Sequence, residues 1–336
     1  MELIKEEQLK HGALVEDRDE RDYCYEALGT RPLTDEDWAK GFSIEKEVGY
    51  TIPVKNQFNS YSCVGQAYAY YLAVLKSITN KTEYKEVSAK SIYSLIALTF
   101  SNGAYLRDGA KSITEVGAMW EEALISYTEF GISNEPWMRD KSWFTEDVKD
   151  IMALLRTQDY FRVTTYTIDG FAKAIRDGHG MVAGVEGVNN GTWKTSEPKP
   201  PTLETPEGQI WGHAIYFIGY GIDEKGKYIE VINSWGKDCG DNGKQKLRED
   251  WFKMYENGRV FLFAPWLLID KNKIMTNDTA KILKDKNSSA VGIWLPAISE
   301  AVLKSYALNM GKVLPLKADG SIDWDKSIDG EFEYKN

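Results

Sequence analysis

The spacing of apolar residues changes near Gly170, and this change restricts the folds that the chain can adopt. Before Gly170, apolar side chains recur at steps of three and four residues, as from Val64 to Ile78, a pattern typical of helices with one buried face. After it, short apolar runs alternate with turns rich in Gly and Pro, which predicts strands. The chain is therefore expected to have an α+β fold, helical in its first half and mostly sheet in its second. Helices are predicted to begin at Cys63 and Ser88 and to cover 112–130 and 145–156, and strands to cover 181–188, 214–221, 228–232 and 260–263.

The 336 residues divide into three segments of different composition. Residues 1–48 are polar and carry mixed charges, so they are expected to form an N-terminal extension, a possible pro- or regulatory arm. Residues 49–270 contain the predicted helices and strands and are expected to form one domain. Residues 271–336 are rich in Lys, Asp and Asn, contain one apolar segment at 291–308, and are expected to be a C-terminal extension. One hypothesis is that either extension regulates access to the domain.

The charge and the distribution of apolar residues exclude two classes of partner. The formal net charge is −10 and no run of five Lys or Arg residues occurs, so nucleic acid is not an expected partner. No stretch of about 18 apolar residues occurs, and the charged N-terminus lacks the apolar run of an export signal. We expect no membrane contact and a cytoplasmic or particle-associated location rather than classical secretion. The many Trp and Tyr residues are explained by packing, so no cofactor and no metal are expected.

The chain has three cysteines, too few for a disulfide framework, and one of them lies at a position that favours a reactive thiolate. Cys63 is predicted at a helix start, where the helix dipole together with an imidazolium lowers a thiol pKa. The sequence offers three histidines as the partner. His11 lies in the polar extension and His179 in a turn between a helix and a strand, whereas His213 opens an apolar strand that would hold its backbone rigidly. His213 is therefore the predicted base.

Asn233 is the predicted third member of the site. It ends the strand that follows the strand of His213, and the two strands are joined by a turn around 223–226. Consecutive strands joined in this way pair antiparallel, which brings Asn233 back beside His213. An amide oxygen at this place can fix the tautomer of the imidazole.

Three segments of the sequence resemble the papain-like cysteine peptidases: VKNQFNSYSCVGQAY around Cys63, GHAIYFIGYG with His213, and VINSWGKDCGDNG with Asn233. The order Cys, His, Asn and the distance of 150 residues between the first two also suit that family. The resemblance implies two subdomains. One is helical and carries the nucleophile on a central helix, the other is an antiparallel, barrel-like sheet, and the active site lies in the cleft between them.

The resemblance also implies roles for further residues. Gln57 matches the glutamine whose amide, with the backbone N–H of Cys63, stabilises the oxyanion. Trp235 matches the tryptophan that shields the His–Asn hydrogen bond. Gly109 matches a turn glycine that hydrogen-bonds an extended peptide, and Gly212 precedes the histidine in the cleft. Together with Trp235, both are expected to contact substrate.

Two positions depart from the pattern of the family. Val64 follows the nucleophile where an aromatic residue is usual, and Cys239 stands where a tryptophan is frequent. The usual disulfide cysteines and the helical motif of the inhibitory propeptide are missing. Cys239 is expected to be a non-catalytic thiol, because no histidine remains to activate it, and Cys24 is expected to have no role in the site.

The predicted function is a cysteine-type peptidase that hydrolyses protein or peptide substrates through Cys63, His213 and Asn233. Two alternatives stay open. The same order of residue types occurs in cell-wall amidases and in transglutaminase-like acyl transferases. The second alternative is a catalytically idle, papain-shaped binding or structural module. The Asn-Ser-Trp-Gly run and Gln57 speak against the first alternative, and the complete set of catalytic residue types speaks against the second.

Overall fold

The computed structural model of the protein describes residues 6–20, 22–128 and 130–270. The predicted C-terminal extension, with its apolar segment 291–308, lies outside the described residues. The helices are α1 (Asp35–Lys40), α2 (Ile44–Val48), α3 (Cys63–Asn80), α4 (Ala89–Ile96), α5 (Leu106–Glu115), α6 (Glu135–Arg139), α7 (Glu146–Ala153) and α8 (Ile168–Gly178). The strands are β1 (Ala13–Leu14), β2 (Phe42–Ser43), β3 (Ala104–Tyr105), β4 (Asp159–Arg162), β5 (Met181–Gly187), β6 (Trp211–Asp223), β7 (Gly226–Ile232), β8 (Lys244–Arg248) and β9 (Leu262–Ile269).

Helix α3 lies at the centre of the helical half and begins at the predicted residue. Its periodicity predicts one buried face, but all residues from 63 to 77 are buried. Two long polar side chains of this run find partners inside the protein, as buried polar groups usually do. Tyr70 Oη donates to the carbonyl of Asn233 at 3.3 Å, and Lys76 Nζ pairs with the Asp270 carboxylate at 2.9 Å. The helix that carries the candidate nucleophile is therefore held from all sides.

The strands after Arg162 and the short β2 form one antiparallel sheet of seven strands with β4. The order is β4-β9-β5-β6-β7-β8, and β2 also pairs with β6. The long strand β6 lies inside the sheet between β5 and β7. The expected α+β fold with a helical half and an antiparallel half is confirmed. The sheet is open rather than closed into a barrel, because β4 and β8 stand at its two ends.

Strand β6 separates two hydrophobic cores, because alternate side chains of a strand point to opposite faces of the sheet. Tyr216 and Ile218 pack in the core around α3. Ile215 and Phe217 pack in the second core, where the rings of Phe217 and Phe171 of α8 lie 5.5 Å apart. The sheet is thus covered by helices on both faces, and the start of α3 is fixed against the start of β6.

The second half of the predicted N-terminal extension packs against the body of the protein. Trp38 of α1 is buried and donates from Nε1 to the Asp169 carboxylate at 2.8 Å. Phe42 of β2 pairs with Tyr220 of β6. These contacts tie α1, β2 and α2 to the sheet. Residues 6–16 take a different course and run past the first turn of α3.

The predicted helix over 112–130 is wrong. Helix α5 begins earlier, at Leu106, and ends at Glu115. Gly117 follows with φ +101°, a backbone conformation open to glycine, and a Cβ there would lie 1.9 Å from the carbonyl oxygen of Met152. This close approach turns the chain away from the helix axis. The apolar residues of 116–128 consequently lie in turns and bends, where helical periodicity has no structural meaning.

Candidate active site

Cys63 is the first residue of α3 and is completely buried. Burial raises the pKa of its thiol to about 12, and hydrogen bonds from the backbone N–H groups of Ala214 and Gly12 oppose the rise. Ala214 is the residue after His213, so the sulfur lies beside the start of β6. The helix start lowers a thiol pKa when solvent and an imidazolium are present. In this closed arrangement the loss of solvent outweighs that effect, and the thiol is neutral.

His213 lies in β6, opposite Val185 of β5, and is completely buried. Its Nε2 lies 2.9 Å from Asn233 Oδ1, and its ring stacks on Trp235 with centroids 4.0 Å apart. Nδ1 has no hydrogen-bond partner within the part of the chain that the structure describes. Burial and the charge of His11 lower the pKa of His213 to about 3, while the bond to Asn233 opposes this shift. The imidazole is therefore neutral here.

Asn233 is held so that its oxygen faces His213. Its Nδ2 donates to Gln245 Oε1 at 3.0 Å, and the backbone N–H of Ser234 donates to Oδ1 at 2.7 Å. Tyr70 of α3 binds the carbonyl of Asn233. Because Gln245 lies on β8, the amide is fixed by the neighbouring strand of the same sheet. The predicted pairing of His213 with Asn233 is thus present in the geometry.

Gln57 is completely buried, and its amide has hydrogen-bond partners on both sides. Its Oε1 accepts a hydrogen bond from Ser234 Oγ at 2.7 Å, which fixes the orientation of the amide. Its Nε2 donates to the carbonyls of Ser60 at 2.9 Å and of Lys10 at 3.1 Å. Trp235 Nε1 donates to the same Lys10 carbonyl at 2.9 Å. Two side-chain donors therefore converge on one peptide oxygen.

The carbonyl between these donors belongs to the N-terminal segment, which fills the cleft. His11 stacks on Trp211 with ring centroids 4.0 Å apart, and it contacts Trp235 edge to face at 6.1 Å. Gly12 follows at the sulfur of Cys63. A Cβ on Gly12 would lie 2.1 Å from the carbonyl oxygen of Tyr61, so only glycine fits at this place. Burial, together with the charge of Lys10, lowers the pKa of His11 to about 4.

The next residues of the segment pair with the edge of the helical half. Ala13 and Leu14 form a parallel ladder with Ala104 and Tyr105. A Cβ on Gly212 would lie 2.1 Å from the carbonyl oxygen of Ala13, so the missing side chain of Gly212 makes room for the segment. The cleft therefore holds an extended peptide between β3 and the start of β6.

A cluster of charges holds the end of the segment. The backbone N–H of Arg107 donates to Glu16 Oε1 at 3.1 Å, and the Arg107 guanidinium binds Asp22 at 2.7 Å. Trp266 Nε1 also donates to Glu16, at 3.2 Å. Burial raises the pKa of Glu16, and the hydrogen bond from Trp266 and the charges of Arg107 and Arg162 oppose the rise.

Comparisons with known proteins identify the family and the fold of the chain. A sequence model of the family described as papain family cysteine protease matches residues 37–258, about two thirds of the chain. The chain belongs to the papain family of cysteine proteases. A search of curated proteins finds no match.

Solved papain-type proteases share the fold of this chain at low sequence identity. Xylellain, a cysteine protease from Xylella fastidiosa, superimposes with a TM-score of 0.59 at 17% identity, covering 80% of this chain and 98% of that chain. Digestive procathepsin L2 from Tenebrio molitor gives 0.57 at 18%, with 79% and 81% covered. Procathepsin B from Trypanosoma congolense gives 0.55 at 13%, with 77% and 86% covered.

One substrate-contacting residue predicted for this papain-family chain is not where it was expected. Gly109 lies inside α5, where a Cβ would lie 2.4 Å from the ring of Tyr68 and 3.2 Å from Val64. It serves close packing of α5 on α3. The backbone that pairs with an extended peptide is β3 (Ala104–Tyr105), and the Gly103 before it is the turn glycine, with φ +111°.

The residues that sequence reasoning missed are Lys10, His11 and Gly12. They act through a backbone carbonyl, a ring stack and a backbone N–H. The backbone carbonyl and the backbone N–H occur in nearly every residue, so the sequence carries no signal for these two groups. The hypothesis that an extension regulates access was the only indication.

The other thiols stand apart from the site. Cys24 is partly exposed, while Cys239 is buried and donates from Sγ to the carbonyl of Trp193 at 3.1 Å. Burial raises the pKa of Cys239 to about 12. Among the described residues, no group of His, Cys, Asp and Glu side chains could hold a metal ion. None of the described helices is long and apolar enough to cross a membrane.

Proposed function

We propose that this papain-family chain is a cysteine peptidase of protein or peptide substrates, with Cys63 as nucleophile and His213 as general acid and base. The observation that supports the proposal best is the carbonyl of Lys10. A peptide carbonyl lies between the amide of Gln57 and the indole of Trp235, in the same cleft as the thiol and the imidazole. The cleft is therefore suited to bind a peptide carbonyl and to stabilise negative charge on its oxygen.

The reaction proceeds through an acyl-enzyme intermediate, in which each residue of the site has its own role. The Cys63 thiol gives its proton to Nδ1 of His213, and the sulfur attacks the carbonyl carbon of the scissile bond. The amide of Gln57 and the backbone N–H of Cys63 stabilise the oxyanion. His213 then passes the proton to the leaving amine, and the C–N bond breaks to leave a thioester. A water molecule, deprotonated by His213, hydrolyses the thioester and restores the thiol. Asn233 keeps the imidazole in the tautomer that this sequence of transfers requires.

Burial beneath the segment 6–16 explains why the Cys63 thiol and the His213 imidazole are neutral. The segment presents the N–H of Gly12 to the sulfur instead of a carbonyl carbon, so it is bound without being positioned for attack. We propose that it keeps the peptidase latent and that its departure restores solvent and an acidic thiol at Cys63. Two of the similar solved structures are described as procathepsins, which supports this part of the proposal.

Labelling with a peptidyl fluoromethyl ketone tests the proposal in the full chain. A peptidase is expected to form an adduct at Cys63, located by peptide mass mapping, and to lose it in His213→Ala. Cys24 and Cys239 are matched control thiols in the same molecule and are expected to stay unlabelled. An amidase or an idle module does not react with a peptide electrophile at Cys63, so a protein that stays unlabelled after the segment has been displaced contradicts the proposal.

A further inference from the structure

The carboxylate of Glu6 is held by two backbone amides of the loop that follows β5. The N–H of Gly191 donates to Oε2 at 2.7 Å, and the N–H of Trp193 donates to Oε1 at 2.7 Å. Two converging backbone N–H groups form a binding site for an anion, because they carry fixed partial positive charges. Glu6 thereby shows which chemical group the loop binds, namely a carboxylate.

Contacts within the body of the protein keep the two amides in place. Gly191 has φ +82°, which orients its N–H, and the side chain of Trp193 is completely buried. Asn190 Oδ1 accepts from the backbone N–H of Thr192 at 3.1 Å, and Asn190 Nδ2 donates to another carbonyl of the loop at 3.0 Å. None of these contacts involves Glu6. The site therefore persists when Glu6 leaves, and the Trp193 amide then needs a new acceptor.

The position of the loop relates it to one side of the scissile bond. Trp193 packs on Trp235 with ring centroids 5.6 Å apart, and Trp235 stacks on His213, the group that protonates the leaving amine. The loop therefore lies on the leaving-group side. Glu6 is four residues from Lys10, whose carbonyl marks the reacting position, and the intervening chain, with its 3-10 turn, spans at most about 11 Å. An extended substrate covers this distance in three or four residues.

We propose that the amides of Gly191 and Trp193 form a subsite for a substrate carboxylate on the leaving-group side of the scissile bond. Glu6 occupies this carboxylate subsite while the N-terminal segment fills the cleft. The inference rests on the proposed peptidase function. The carboxylate belongs either to an acidic side chain within four positions after the scissile bond or to the C-terminus of a short substrate. The net charge of −10 disfavours acidic peptides at long range, so a preference for them has to come from local donors.

A first experiment uses the full chain without substrate. Glu6→Gln keeps the size of the side chain but offers one acceptor oxygen instead of two, and its NH2 group faces the N–H donors of the loop. We expect labelling of Cys63 by dipyridyl disulfide to become roughly tenfold faster, because the segment docks less tightly. The matched control Glu20→Gln changes an exposed residue and is expected to label at the wild-type rate. An unchanged rate for Glu6→Gln overturns the proposal.

A second experiment uses quenched fluorescent peptides in pairs that differ by Glu or Gln at each of the first four positions after the scissile bond. We expect kcat/KM to favour Glu at one of these positions by roughly ten- to a hundredfold, as for a charge-assisted pair of hydrogen bonds. The same peptides with free and with amidated C-termini distinguish a side-chain carboxylate from a terminal one. Ratios close to one at every position, and for both kinds of terminus, overturn the proposal.

Two variants separate the amides from simple charge attraction. Lys194→Gln removes the positive charge next to Trp193. The ratio of kcat/KM for the Glu peptide to that for the Gln peptide is expected to stay above roughly tenfold, because the amides remain. A ratio that falls to one in this variant overturns the assignment to the amides. Asn190→Ala releases the loop, and the ratio is expected to fall toward one. If the peptides are hydrolysed but kcat/KM is the same for Glu and Gln, only the carboxylate subsite is refuted. If the peptides are not hydrolysed and Cys63 is not labelled, the peptidase function is refuted, and the subsite with it.

Discussion

Replacing His11 by Phe is expected to remove a pH-dependent step in the opening of the cleft. The His11 ring stacks on Trp211 and is partly buried, with its Nδ1 enclosed and without a hydrogen-bond partner among the described residues. Phe keeps the stacking area but cannot take up a proton. The variant is therefore expected to keep the segment docked at neutral pH. Comparison with the wild type then measures how much protonation of the His11 ring weakens docking.

The size of the effect on the docking equilibrium follows from the pKa of His11, which burial in the docked segment lowers from 6.5 to about 4. The undocked segment binds the proton more readily, so protonation favours undocking. The contribution of His11 to docking is complete above pH 6.5 and is lost progressively as the pH falls toward 4. The limit of this loss is about 3 kcal/mol, or roughly 300-fold in the docking equilibrium.

The assay is the rate at which dipyridyl disulfide labels Cys63 between pH 4 and pH 8. Ionisation of Cys63 changes the absolute rates, but it cancels in the ratio of wild type to His11→Phe. We expect this ratio to rise as the pH falls below 6.5, reaching roughly 150-fold at pH 4, about half of the limit. A ratio that does not change with pH refutes the reasoning.

Other titrating groups along the segment are present in both proteins; among them, His213 also responds to the charge of His11, and its pKa of about 3 lies below the range of the assay. His213 has its pKa lowered to about 3 by burial, so its protonation also favours opening, at lower pH. Glu16 acts in the opposite direction, because burial raises its pKa and its protonation favours the docked state. Only the His11 ring differs between the two proteins.

Three further predictions concern the segment, the oxyanion and the stability. Gly12→Ala places a Cβ 2.1 Å from the carbonyl oxygen of Tyr61 and is expected to speed labelling of Cys63 at pH 7 by roughly tenfold or more; an unchanged rate contradicts the described path of the segment. Gln57→Ala is expected to lower kcat by roughly a hundredfold or more with little change in KM, measured by steady-state kinetics. Lys76→Met removes the buried ion pair with Asp270 and is expected to lower the free energy of unfolding by about 3 to 5 kcal/mol, measured by denaturant titration.

The members of the site that the sequence predicts are those whose chemistry needs a rare residue type. Three histidines leave few candidates for a base, and His213 is singled out by the strand that follows it. Asn233 follows from the same strand pairing, which the structure contains. The long helix from Cys63 and the main strands follow from periodicity, since burial of a regular face leaves a regular pattern.

The parts that the sequence does not predict depend on contacts between distant backbones. The path of residues 6–16 is set by groups such as the Lys10 carbonyl and the Gly12 N–H, which leave no pattern in the sequence. Gly109 was assigned to the cleft by resemblance to the turn glycine of the family, whereas its place in the structure depends on the ring of Tyr68 in another helix. The pKa of Cys63 likewise depends on burial by a segment some 50 residues away in the chain.

Digestion of a proteome-derived peptide library, with identification of the new C-termini by mass spectrometry, tests the central claim most directly. The wild-type chain at pH 4 to 5, where the segment is expected to open, is expected to produce new termini, and Cys63→Ala, with the same melting temperature, is expected to produce none. Cleavage that persists in Cys63→Ala, or no cleavage by a wild-type chain whose Cys63 is open to labelling, would contradict a peptidase that depends on this thiol.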